Sequence, residues 1–152
     1  MTNTKITFRD YQPSDFETLN KFVDQFYLEG AGEPGHYNFI FTADEFTKNP
    51  AIGKIMVIEK EGMPIGYSII IYYWSNQHGG YCYIIDELFV AKGFRSGGIG
   101  SQFIKYLIAH CANDCTSIHL EVRKANVKAF NLYRKLGLKE ENNIFMSYDM
   151  RK

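Results

Sequence analysis

Two acids on an extended run, and a glycine-rich turn just beyond them, carry the chemistry that this sequence offers first. Asp86 and Glu87 precede Leu88, Phe89 and Val90; then come Arg95, Ser96, Gly97, Gly98, Ile99 and Gly100, and an apolar helical pattern over residues 101–111. A strand feeding a glycine turn that opens a helix suits an anion. N–H groups without partners point out of the first helical turn, and the macrodipole adds roughly half a positive charge there. Glycine lets the backbone approach the guest closely and adopt positive φ. Phosphate is the natural guest.

Spacing separates the nucleotide motifs that share this logic. Gly93 and Gly98 are spaced as in a Walker A loop, but Ile99 and Gly100 stand where Lys and Ser or Thr are required. Gly98 and Gly100 open a dinucleotide fingerprint whose third glycine would fall on Phe103, and no early strand-turn-helix unit surrounds it. What remains is R-x-x-G-x-G, with an acid-bearing strand before it and a helix after it. Downstream, residues 117–122 read as a strand, and Asn126, Ala129, Tyr133, Gly137 and Leu138 fill the pattern N-x-x-A-x-x-x-Y-x-x-x-G-[FL]. On these two blocks, in this order, the sequence resembles the GNAT superfamily of acetyl-CoA-dependent N-acetyltransferases, and among them diamine and polyamine acetyltransferases in particular. The resemblance covers residues 54–150; the N-terminal third matches in layout only.

The resemblance implies a cofactor site and a mechanism. Acetyl-CoA is the expected cosubstrate. In the family the strand ahead of the phosphate loop splays from its neighbour, so Leu88, Phe89 and Val90 would bond the pantetheine arm through backbone while their side chains pack in the core. Arg95, Ser96, Gly97, Gly98, Ile99, Gly100 and Ser101 would hold the pyrophosphate, and Asn126 the cofactor arm. One departure is visible: the family commonly reads R-G-x-G, whereas Ser96 occupies the second place here and Gly97 is an extra glycine. An alkylamine with a pKa near ~10 is mostly protonated at neutral pH and needs a base before it can attack a thioester. Glu87 is the first choice and Asp86 the second, since successive strand residues face opposite ways unless a bulge intervenes. The departing thiolate, with a pKa near ~8.5, needs an acid, and a phenol can supply the proton. By resemblance that phenol is Tyr133. Direct attack is expected rather than a cysteine-linked path, because Cys82, Cys111 and Cys115 lack a recognisable histidine partner motif.

The acceptor is less legible. Tyr72, Tyr73, Trp74, Tyr81 and Tyr83 crowd the middle strands, and Glu29, Glu33, Asp44 and Glu45 flank a variable loop; aromatics and acids together could cage a cationic amine. The expected acceptor is the primary amine of a diamine, polyamine or amino acid. A protein or peptide amine and a non-catalytic CoA-binding sensor domain are the alternatives. No metal is expected: His36, His78, His110 and His119 are scattered, and Cys111 with Cys115 lacks the second half of a zinc site.

The elements that must position these groups alternate along the chain. Residues 5–9 read as a strand, and Ser14 with Glu17 as a capping box before a helix carrying Phe16, Leu19, Phe22, Val23 and Phe26 and ending near Gly30. A short helix is expected from Thr42, then strands over residues 54–60, 64–74 and 81–90 as an antiparallel meander turned at Glu61, Gly62 and Met63 and at Gly79 and Gly80. Helix, strand, helix and a last strand over residues 145–150 complete one α/β domain over 1–152, with a central, mostly antiparallel mixed sheet flanked by helices. A chain of 152 residues suits one domain, and its formal net charge of zero suggests neither nucleic acid nor an anionic membrane as partner. The first residues lack signal-peptide character, no run reaches the ~20 apolar residues of a membrane span, and three cysteines make no disulfide framework. A cytoplasmic location follows as the expectation. Dimerisation through the last strands is an expectation carried by the resemblance.

Overall fold

A computed structural model describes residues 5–32, 35 and 37–151. Glu33 and His36 lie outside these described residues. The structure forms two compact units, Met1–Glu121 and Val122–Lys152.

The first unit is built on a five-stranded sheet in the order β1-β2-β3-β4-β5: Ile6–Asp10, Gly53–Lys60, Met63–Ser75, Gly80–Val90 and Ser117–Leu120. All neighbours are antiparallel except β4 and β5, which run parallel. The expected antiparallel meander is therefore β2-β3-β4, with bounds within one residue of the sequence reading. Glu61 and Gly62 both take positive φ, 52° and 80°, as a two-residue hairpin turn requires. β2 is buried along most of its length, consistent with a strand covered on both faces.

Helix α1, Phe16–Phe26, and helix α2, Phe39–Lys48, cover one face of the sheet. Leu19, Val23, Phe39 and Ala43 join Ile55, Val57, Tyr67, Ile69 and Phe89 in a buried core there. Helix α3, Ile99–Cys111, places Phe103 and Tyr106 against Phe8 of β1, with ring centroids 5.5 and 4.9 Å apart. Arg9 ties β1 to its surroundings by bonding Asp15 at 2.7 Å and Glu59 at 2.8 Å. That partner holds the Asp15 carboxyl below the usual carboxylate range, against the opposing effect of its burial.

Three local features differ from the sequence pattern. The capping acid is Asp15 rather than Glu17: Pro13 opens a 3-10 turn ahead of α1, and Asp15 reaches back to accept from the Gln12 N–H at 2.8 Å. Helix α2 begins before Thr42 because the Asn38 side chain accepts from the Phe41 N–H and caps it. The last strand is absent among the described residues. Residues 145–150 carry no strand pairing, and Ile144, Phe145, Met146, Tyr148 and Met150 are each more than 80% exposed. The alternation Ile144, Met146, Tyr148 and Met150 is what makes the segment read as a strand.

The second unit holds helix α4, Val127–Lys135, framed by both ends of the second sequence block. Asn126 is its N-cap, accepting from the Ala129 N–H at 3.2 Å, and Gly137 follows its end at φ 94°. The Gly137 and Leu138 N–H groups close that end on Arg134 and Tyr133 carbonyls. Two members of the motif thus have helix-ending roles of their own. No helix among the described residues is long and apolar enough to cross a membrane.

Candidate active site

β4 makes the site by changing partners along its length. β5 pairs with it only from Cys82 to Ile85, while β3 follows it to Val90. From Asp86 onward the β4 edge away from β3 has no strand partner among the described residues, so the backbone groups on that edge are not used in the sheet, and of them the Val90 carbonyl accepts from Arg95 Nε. The Phe89 side chain is buried in the core beside Tyr67, their ring centroids 5.9 Å apart.

The register also shifts at the start of this stretch. Ile69 pairs with Glu87 and Ile70 with Ile85, leaving Asp86 as the extra residue of a β-bulge. The bulge that would let both acids face one side is present, and Asp86 and Glu87 both line the same cavity. The cavity has a volume of about 530 Å³ and lies between the sheet and helices α1 and α2, with Tyr27, Tyr37, Phe39, Phe41, Phe46 and Glu45 on its wall.

Glu87 is buried and held at both oxygens. Tyr27 donates to Oε1 at 2.6 Å and Tyr67 to Oε2 at 2.5 Å. Burial pushes its carboxyl above the ordinary glutamate value; the two phenol bonds oppose this, and the Asp86 charge adds to it. Asp86 is accessible to solvent yet crowded, and desolvation followed by the Glu121 charge raises it as well. Tyr27 also stacks on Tyr37 at 4.3 Å, and Tyr37 donates to Asp24. Burial and the Glu87 carboxylate both push the Tyr27 and Tyr67 phenols upward, so they remain donors.

The aromatics expected to surround the acceptor are elsewhere. None of Tyr72, Tyr73, Trp74, Tyr81 and Tyr83 lines the cavity; Tyr72 stacks on Tyr83 at 4.2 Å, and Trp74 meets Tyr81 edge-on. The cavity's rings come instead from the end of α1, the loop after it, and α2. Of the acids, Glu45 is on the wall, Asp44 pairs with Lys48 on the outer side of α2, and Glu29 is bound to Arg95.

Ser96, Gly97 and Gly98 form the turn that opens α3. Gly98 caps α3 at φ 74°, ψ 13°, and as a glycine it offers no capping side chain to the first N–H groups of that helix. A Cβ built on Gly98 would meet nothing within 4 Å, and one on Gly97 only the Phe94 carbonyl at 3.8 Å, so open space lies before the helix. Ser96 also takes positive φ, 69°. This is a cradle that fits an anionic cofactor end, with Ile99, Gly100 and Ser101 in the first turn. Arg95 is turned back from it: its Nε donates to the Val90 carbonyl at 2.6 Å, its guanidinium pairs with Glu29 at 2.8 Å, and it lies over the Phe89 ring.

In the second unit Tyr133 is partly buried on α4, and burial raises its phenol, keeping it protonated at neutral pH. Burial likewise raises the thiols of Cys111 and Cys115 away from the thiolate form. Tyr27 and Tyr67, the holders of Glu87, were missed in the sequence: their spacing reads as core, and only the fold brings them to the acid.

A profile of the acetyltransferase (GNAT) family matches residues 16–138. The chain is 31% identical over 107 residues to the thialysine N-epsilon-acetyltransferase of Sus scrofa, a stretch covering 64% of this chain and 62% of that protein. It is 33% identical over 55 residues to a probable spermine N(1)-acetyltransferase of Bacillus subtilis subsp. natto, covering 35% of this chain and 36% of that one. The fold is similar to a possible acetyltransferase from Clostridium difficile 630, with TM-score 0.81 and 22% identity, covering 95% and 97% of the two chains.

Proposed function

Since the chain belongs to the acetyltransferase (GNAT) family, its match spanning residues 16–138, we propose that it transfers an acetyl group from acetyl-CoA to the primary amine of a small diamine, polyamine or lysine-like molecule. The observation that carries this reading is the cavity of about 530 Å³ with Asp86 and Glu87 on its wall beside aromatic rings and Glu45. Carboxylates and π-faces draw in an alkylammonium, and the apolar remainder accepts its methylene chain. The relatives named for thialysine and spermine support the same acceptor class.

Acetyl-CoA, when bound, supplies an activated thioester. The outward edge of β4 from Asp86 to Val90 would hold its amide-rich arm, and the α3 N-terminus its pyrophosphate, with Arg95 able to join once released from Glu29. Asn126, although it caps α4, would also contact the cofactor arm. Glu87 takes the proton from the acceptor's ammonium, directly or through water. Its raised affinity for a proton makes it a better base near neutral pH than an exposed glutamate. Tyr27 and Tyr67 fix its orientation, and Asp86 supplies a second charge that attracts the cation. Tyr133 gives the departing thiolate its proton. Attack on the thioester is direct. No metal enters these steps.

A homodimer in the cytoplasm accompanies this reading. It is supported by the exposed apolar side chains of residues 144–150 and by three free cysteines. The test of the acceptor class is a comparison of kcat/KM for diamines, polyamines, thialysine and lysine against aminoglycosides and peptides. The small linear amines should lead by at least tenfold; a peptide or aminoglycoside in first place overturns the assignment.

A further inference from the structure

The sheet gathers three potential metal ligands that the sequence scatters. Cys82 lies on β4, His119 on β5, and His78 in the turn between β3 and β4. Cys82 pairs with Ser117 and Ile84 with His119 in the parallel register, so Cys82 and His119 stand two residues apart on adjoining strands and on the same face. The turn folds His78 back over them, its ring 5.4 Å from that of His119. One ligand atom from each of the three residues lies within 4.8 Å of the others. Around a shared zinc ion at ~2.0–2.1 Å from nitrogen and ~2.3 Å from sulfur, tetrahedral ligand atoms stand roughly 3.3–3.8 Å apart. Closure by about an ångström is enough, and exposed His78 is free to supply it by side-chain rotation.

A separate observation points to a guest. The Nε2 atom of His119 is buried without a hydrogen-bond partner, and it is the sole such side-chain nitrogen or oxygen among the described residues. Buried polar atoms are almost always satisfied, and a bound ion is one way to satisfy this one. Cys82 is fully buried and free, and the Thr116 hydroxyl lies 3.9 Å from its sulfur. The acceptor cavity has none of these residues on its wall.

We propose that His78, Cys82 and His119 form a binding site for one divalent ion of the zinc class, which clips the β3–β4 turn to the edge strand β5. The thiol of Cys82 loses its proton to solvent as the thiolate binds, both imidazoles bind neutral, and a water completes four-coordination. Two nitrogens and one sulfur favour zinc or a similar borderline ion over magnesium or calcium. The proposal is independent of the acetyl-transfer reading.

Titration of the chelator-treated full chain with Co²⁺ tests it, followed by displacement with Zn²⁺ and melting curves with and without zinc. The expected result is one Co²⁺ per chain, a thiolate-to-cobalt charge-transfer band in the near ultraviolet that zinc abolishes, and a higher melting temperature with zinc. Cys82→Ser should lose the band, His78→Ala should bind at least tenfold more weakly, and Cys111→Ser with Cys115→Ser should keep the band. His78 lies in an exposed turn, so its replacement leaves folding intact and decides the matter if the Cys82 variant misfolds. Absence of binding, a band that survives Cys82→Ser, or unchanged affinity in His78→Ala overturns the site.

Discussion

Replacing Glu87 by Gln removes a proton acceptor while leaving the side-chain shape. Both carboxylate oxygens accept from phenols, Tyr27 at 2.6 Å and Tyr67 at 2.5 Å, so two bonds are at stake. The amide can accept at one oxygen, and a tyrosine hydroxyl can turn to accept from its NH₂ group. The variant also escapes the cost of burying a charge, since burial is what raises the Glu87 carboxyl. These effects oppose each other, and stability at neutral pH should change by no more than about 1.5 kcal/mol. Turnover should fall by ~10²-fold or more, about 2.7 kcal/mol of barrier, because an ammonium then has no base. The pH dependence adds a second readout. With its folded value above the ordinary ~4.3, native Glu87 holds its proton more tightly than the unfolded chain does. Its contribution to stability is therefore fully present below ~4.3 and is lost as pH rises through the folded value; Glu87→Gln should lack that slope. kcat/KM in the parent should rise with pH through the same raised value, a limb the variant should not show. The assay is thiol release across pH with the best amine, beside melting curves. Asp86→Asn should cost less. Turnover of Glu87→Gln within threefold of the parent, or a larger loss in Asp86→Asn, would refute the assignment of the base.

Tyr27→Phe deletes a bond that lowers the Glu87 carboxyl, so the acidic limb of kcat/KM should move to higher pH; a limb that stays in place, seen in the same titration, separates Tyr27 from the base. Gly98→Val puts a branched side chain at φ 74° and fills the space before α3, and should weaken acetyl-CoA binding at least tenfold, ~1.4 kcal/mol, by calorimetry. Unchanged affinity in a folded variant removes the phosphate-turn assignment. Tyr133→Phe should leave the melting temperature nearly unmoved while kcat drops ~10²- to 10⁴-fold. Retention of more than about a third of turnover, with chemistry rate-limiting, makes Tyr133 a packing residue and leaves water as the acid.

The strands β2, β3 and β4 were legible because period-two patterns and glycine turns bound them, and α3 because its apolar spacing follows a glycine break. The bulge at Asp86 was not, since an extra residue in a ladder depends on the partner strand, and Asp86 and Glu87 look like any alternating pair until β3 is laid beside them. The cavity's aromatics were misplaced for a related reason. Tyr72, Trp74, Tyr81 and Tyr83 satisfy one another across the far half of the β3–β4 hairpin, whereas Tyr27 and Tyr37 lie at and beyond the end of α1, where the chain turns toward the acids. Residues 145–150 show the limit of pattern: alternation marks a segment fit for pairing but supplies no neighbour. His78, Cys82 and His119 span more than forty positions, and only the sheet register brings them together.

Acetyl transfer to a small primary amine can be read out in a single reaction. Its most direct measurement incubates the purified chain with acetyl-CoA and a linear diamine or polyamine, counts the thiol released, and weighs the amine product by mass spectrometry. The expected result is one thiol for each mono-N-acetylated amine, at a rate that depends on Glu87. Acetyl-CoA that binds and is never consumed with any amine would contradict it and leave a CoA-sensing domain in its place.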